Sequence, residues 1–295
     1  DPRVTNGGNP VKSEIDLEEG RKFWSFIPPT KSQAPAVKNA AWPRGEIDQF
    51  VLAKLEEKNL TVTRDATRRE LIRRIHFDLT GLPPKPGEIS DFLTDQSEDA
   101  FEKVVDRLLR SPHFGEHWGR HWLDVARYSE SNGMERNYTY PHAWRYRDYV
   151  IRSFNLDKPF KQFIREQIAG DLLGRDKRKP TDDELIATGF LALGPKPLNQ
   201  GNKALFKLDV VDEQIDATTR AFLGLTVSCA RCHDHKFDPI PTKDYYAMAG
   251  IFRSTDAHYG TINGQGNRQP SRLLTIVGSD KNRAQKIRNH EFKLE

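Results

Sequence analysis

The chain has 295 residues, 36% hydrophobic and 30% charged, with 16 Phe and 5 Trp, which is enough apolar material for one large domain or two ordinary ones. Its net charge of +4 comes from 46 basic and 42 acidic residues dispersed along the sequence, without the concentrated basic face of a nucleic-acid binder. No apolar run approaches the roughly 18 residues a bilayer span needs, so no membrane span is expected.

From Asp1 to about Trp42 the sequence is rich in Pro, Gly and Asn and includes IPPTKSQAPAV, which favours extended backbone over helix. This segment, 1–42, is expected to be an arm draped over a core built later. It opens on DPRVTNGG, without Met and without a charged-plus-apolar leader, and reads as a chain whose leader has been removed. PRGEIDQFVLAKLEEKN then places Ile47, Phe50, Val51, Leu52 and Leu55 at helical spacing after Pro43. In TRRELIRRIHFDLTGLPP, Thr67 and Glu70 form a capping-box pair, Leu71, Ile72, Ile75 and Leu79 form a stripe, and Gly81 with Pro83 stops the helix. SEDAFEKVVDRLLRSP repeats the layout with Phe101, Val104, Val105, Leu108 and Leu109.

Further helices are expected at about 115–128, 143–155, 159–173, 181–192, 208–226 and 242–252. Only RLLTIVG, 272–278, has the look of a strand. The expected fold is therefore all-α and irregular, with long ordered loops: the arm, a helical domain over 43–260, and a C-terminal extension over 261–295. The closing Leu294-Glu295 resembles a vector-encoded scar, which suggests a domain cut from a longer protein. No internal repeat or low-complexity tract interrupts it.

SCARCHDHKFDP, Ser228 to Pro239, holds the only two cysteines, Cys229 and Cys232, with His233 directly after them. Cys-x-x-Cys-His is the attachment signature of a c-type haem: the thiols add to two vinyl groups and the adjoining imidazole becomes an axial iron ligand. A zinc site needs four ligands around a tetrahedron, which Cys229, Cys232, His233 and His235 are too close in sequence to supply. A thioredoxin-like dithiol follows a strand and opens a helix, whereas this motif follows a helix. A disulfide across so short a loop is strained. One covalent haem c, with His233 as proximal ligand, is the expected cofactor, and its attachment chemistry implies export to the periplasm or a comparable compartment.

Other segments add to the picture. IDQFVLAKLEEKNL, RRELIRRIHFDLTGLPP, VDRLLRSPHFGEHWGRHWLDVARYSESNG, AWRYRDYVIRSFNLDKPFKQFIREQIAGDLL and LGLTVSCARCHDHKFDPIPTKDYYAMAGIF together resemble the DUF1549 family, the planctomycete cytochrome-like PSCyt2 domain, over most of 20–256. The resemblance implies a domain of large secreted proteins, often followed by a DUF1553 partner domain, and a setting linked to polysaccharide breakdown. It assigns little chemistry, so the mechanism rests on the residues.

The second axial ligand separates electron carrier from catalyst. SPHFGEHWGRHWLDVARY spaces His113, His117 and His121 four apart, with Trp118 and Trp122 on a neighbouring face, and His121 is the first choice. Ordinary core or surface roles compete for each of these histidines. Met134 and Met248 are the thioether alternatives, and an open iron with His121 as a distal acid–base group is the remaining one. His235 and Lys236 are expected as propionate partners, with Arg127, Arg145 and Arg147 as similar candidates, and Trp144 and Tyr146 as haem-packing aromatics. Asp212, Glu213 and Asp216 sit on the helix before the motif and read as a solvated or salt-bridged face. The expected role is electron transfer with a partner protein or downstream domain. The rivals are a haem peroxidase or oxygenase, and a binding module that uses haem as a structural staple.

Overall fold

A computed structural model describes residues 16–134, 138–174, 178–261, 267–274 and 276. Its helices are α1 (Leu17–Gly20), α2 (Glu46–Glu57), α3 (Arg68–Thr80), α4 (Pro86–Thr94), α5 (Ala100–Leu109), α6 (Pro112–Val125), α7 (Trp144–Asn155), α8 (Phe160–Ala169), α9 (Asp182–Ala187), α10 (Lys203–Leu223) and α11 (Thr242–Arg253). Short 3-10 turns lie at Trp24–Phe26, Gly170–Leu172, Thr188–Leu191 and Val227–Arg231. Among the described residues there is no strand; the isolated bridge Ser131–Thr139 and irregular loops link the helices and turns.

Local chemistry sets the boundaries. Thr67 caps α3, its hydroxyl accepting from Glu70 N while Glu70 Oε2 accepts from Thr67 N at 2.7 Å. Asn202 caps α10, accepting from Ala204 N and Leu205 N at 3.0 and 3.1 Å, so this helix starts earlier than its apolar pattern suggests. It ends at Gly224, whose φ of 67° turns the chain out of the helix toward the cysteines.

Helix α2 forms where its spacing predicts, with Leu52 its one buried residue and Ile47, Phe50 and Val51 exposed. One expectation is corrected. The strand expected at 272–278 does not form at 272–274 or 276, which make no ladder; the preceding Ser271 N donates to Thr261 O at 3.1 Å. Thr275, Val277 and Gly278 lie outside the described residues, as does the arm before Asp16.

Three clusters fill the interior. The largest centres on Trp122 of α6, whose ring lies 5.0 Å from Phe163, 5.6 Å from Phe222 and 6.2 Å from Phe190. Its indole N–H is directed at Tyr146 Oη (3.1 Å) and Gln167 Oε1 (2.9 Å), so the polar handle of this half-buried ring is satisfied. Gly115 and Gly119 bring α6 against α7, and Gly115 N donates to Asn155 Oδ1 at 2.8 Å. The second cluster joins Val211 and Ile215 of α10 to Val227, Ala230, Ile240 and Tyr245, directly beneath the cysteine turn. The third unites α3, α4 and α5 through Ile72, Phe92, Ala100, Val104 and Leu108. Helix α10 serves both of the first two clusters and so positions the motif on the domain.

Candidate functional site

Cys229 lies inside the 3-10 turn Val227–Arg231 and Cys232 closes it. In 3-10 winding, residues three apart stack on the same side. Val227 and Ala230 point the other way into the core, at 4% and 0% exposure. Both thiols are consequently exposed on one face, and both are free. The turn is fastened to α10 by Arg231, between the cysteines, whose guanidinium is 3.2 Å from Asp212 Oδ2 and 3.7 Å from Asp209 Oδ1. Asp212 Oδ1 accepts from Tyr245 Oη at 2.7 Å, and Tyr246 Oη of the same helix, α11, donates to Arg231 O at 3.1 Å. Burial, then the bond to Asp212, raises the Tyr245 phenol and keeps it a donor.

His233 is exposed, and its Nδ1 lies 2.7 Å from Asp234 O. A carbonyl only accepts, so the proton sits on Nδ1 and the lone pair on Nε2, the tautomer that ligates a metal. The Asp234 carboxylate accepts from Thr242 N at 2.8 Å, which lowers its pKa and ties the motif to the start of α11. His235 is buried and engaged at both nitrogens. Nδ1 accepts from Asp238 N (2.8 Å) and Phe237 N (3.3 Å), and Nε2 donates to Thr226 Oγ1 (3.0 Å). The Asp238 carboxylate, 3.3 Å from Nδ1, favours a proton there, but two N–H groups directed at that atom require a lone pair. His235, expected beside a propionate, is therefore the clasp of its own loop. Lys236 projects its ammonium to 5.0 Å from the exposed Phe237 ring.

The other expected residues fall into separate groups. His121 is exposed on α6, its ring 5.4 Å from those of both His117 and Trp118. His113 pairs with Glu116 at 2.7 Å. Arg145 lies over Trp144 at 4.9 Å in a shallow pocket of about 230 Å³ that also holds Asp148, Arg152 and Asp183, between α7 and α9 and not at the cysteine turn. Arg147 pairs with Asp148 and Glu130, Tyr146 is buried, Met248 packs into the cluster under the turn, and Met134 is exposed. Asp216 pairs with Arg220 at 2.8 Å.

Arg127 and Glu213, expected at a propionate and on a solvated face, meet in the interior instead, Nη2 to Oε1 at 2.6 Å. This is a charge contact without hydrogen-bond direction, since neither group's buried polar atoms have a well-directed partner. Beside them is Lys196, fully buried, donating to the carbonyls of Ala192 (2.6 Å) and Gly194 (3.0 Å). Burial lowers its ammonium to about 8, opposed by Glu213, and burial also raises Glu213. The Glu213 carboxylate occupies the space a side chain at Gly194 would need: a methyl there would lie 1.7 Å from Oε1. Lys196, Thr226, Arg231 and Tyr245 were not legible as site-building residues, because a lysine in a Pro-rich loop and an arginine inside the motif look solvated from sequence alone.

Among the described residues no group of three or more His, Cys, Asp or Glu converges as a metal cluster, and no helix is long and apolar enough to cross a membrane. Residues 46–257 match the family model PSCyt2, described as a protein of unknown function (DUF1549). No curated protein and no solved structure matches the chain.

Proposed function

We propose, from the premise that the chain belongs to the PSCyt2 family (DUF1549), that it is a c-type haem domain that exchanges electrons with a partner domain or protein outside the cytoplasm. The observation that carries this reading is the turn Val227–Arg231. It presents two free, exposed thiols on one face, with an imidazole beside them in the ligating tautomer. Cys229 and Cys232 would hold the haem through thioether bonds, the sulfur of each thiol bonding one vinyl carbon and its proton going to the other. When bound, the haem supplies one-electron chemistry at its iron.

The chain's own residues then have distinct tasks. Asp234 O holds the proton on His233 Nδ1 and leaves Nε2 for the iron. Arg231, Asp212 and Tyr245 keep the turn in register with α10 and α11. Lys236, at the outer edge of the loop, is the propionate partner, in place of His235 and Arg127, whose polar groups are committed elsewhere. His121 would be the second residue to hold the iron; α6, which carries it, packs through Trp122 against Phe222 at the end of α10, from which the cysteine turn departs.

Intact-mass measurement of the exported protein is expected to show one covalent haem, lost in Cys229→Ala/Cys232→Ala. His121→Ala is expected to turn a low-spin ferric spectrum high-spin and to open the ferrous iron to carbon monoxide, while His117→Ala does neither. A native protein that is already high-spin and binds carbon monoxide rapidly puts the peroxidase or oxygenase reading first. Stoichiometric zinc in a folded, haem-free protein removes the haem reading.

A further inference from the structure

The loop that follows the cysteine turn, and the arm segment that touches it, carry large apolar rings that are mostly exposed. Phe237 is 78% exposed, although its backbone is firmly held: its N–H donates to His235 Nδ1, and His235 N donates to Ile240 O at 2.9 Å. Two residues on, Pro239 meets the N-terminal arm. A methyl placed on Gly20 would sit 2.9 Å from Pro239 Cβ, so the arm's backbone is in van der Waals contact with the loop. The chain from Gly20 is then ordered into successive turns, Phe23 N donating to Gly20 O (3.1 Å) and Phe26 N to Phe23 O (2.9 Å). Phe23 and Trp24, with ring centroids 5.9 Å apart, are thereby fixed within one turn of the contact, yet they are 58% and 76% exposed. A Trp and two Phe offer roughly 150–250 Å² each to an apolar partner, and three such rings, one on the loop and two on the arm that touches it, mark a binding face.

We propose that the arm segment Phe23–Trp24 and the loop residue Phe237 form the apolar cover of a tetrapyrrole held at Cys229 and Cys232, so that Gly20 against Pro239 is the hinge point of a flap over the cofactor. This rests on the haem reading above. The occupant is a flat conjugated macrocycle because the thiols and the His233 imidazole open onto the same loop, whose far end is Phe237, and because aromatic rings are the surface such a macrocycle prefers. Arg21 and Lys22, exposed beside the rings, place trypsin sites on the flap itself.

The experiment compares tryptic cleavage after Arg21 and Lys22 in the haem-bearing protein and in Cys229→Ala/Cys232→Ala, with intact mass establishing the adduct and Soret circular dichroism reporting aromatic contact with the macrocycle. Cleavage is expected to be slower by about tenfold with haem attached. Trp24→Ala and Phe237→Ala should each move the rate back toward the haem-free value and reduce the Soret band, whereas Leu156→Ala, another exposed apolar position, should change neither. A haem-bearing chain cut as fast as the haem-free one, with a Soret band indifferent to Trp24 and Phe237, overturns the flap alone. A chain with no adduct at either cysteine overturns the flap together with the reading beneath it.

Discussion

Lys196 is fully enclosed, and its ammonium is held by two main-chain carbonyls and the field of Glu213. Its folded value near 8 lies below its ordinary 10.5, so between these pH values the unfolded chain holds a proton that the folded one has released. By linkage, this group's contribution makes stability rise with pH across that window, by about 3 kcal/mol in total. Urea unfolding at about pH 7.5 and about pH 10 is expected to show this gain in the native chain and its loss in Lys196→Met. The contrast with the cysteine motif shows what is legible at this scale. Cys229, Cys232 and His233 stand out because their spacing alone makes a recognisable motif. Lys196 and Arg127 are not, because their roles depend on Glu213, which the fold brings to them from another helix.

Among the elements, the apolar stripes of α3 and α5 and the cap of α3 are plain in the sequence, whereas the first turn of α10 is set by Asn202 outside its apolar pattern and α4 is hidden in GLPPKPGEISDFLT, whose prolines and glycines suggest a loop. Pro86 at the first position of α4 is in fact compatible with a helix start. The stripe of α2 is equally plain but faces solvent, since periodicity reports a face and not what covers it. The α6–α7 pairing is less visible still. It depends on Gly115, where a methyl would come within 2.4 Å of Ile151 O and 2.6 Å of the Asn155 side chain. Gly115→Ala should therefore lower stability by about 2 kcal/mol in denaturant unfolding. Gly87→Ala in α4, with no atom within 4 Å of the added methyl, should be neutral or slightly stabilising.

Across the whole molecule, the two thiols contribute nothing to the three apolar clusters, and the cluster beneath them is closed by Val227, Ala230, Ile240 and Tyr245. Cys229→Ala/Cys232→Ala is accordingly expected to keep its far-UV helical signal and a cooperative thermal transition. Collapse of the helical signal would instead favour haem as a structural staple. The all-helical class and the location of the cysteine turn follow from pattern and spacing. The sorting of arginines between surface and interior does not, because Arg127, Arg145 and Arg147 are chemically alike and only the packing of α10 on the end of α6 decides which is enclosed.

The carboxylate of Glu213 standing in the space of a missing side chain at Gly194 has a consequence for descent. Two positions far apart along the chain share one volume, so neither is free to drift alone. A lineage that acquires a side chain at Gly194 must first shorten or lose Glu213, and that loss leaves Arg127 and Lys196 as two enclosed cations facing each other. The permitted order of substitutions is thereby narrowed: the charges must be dismantled before the glycine is released.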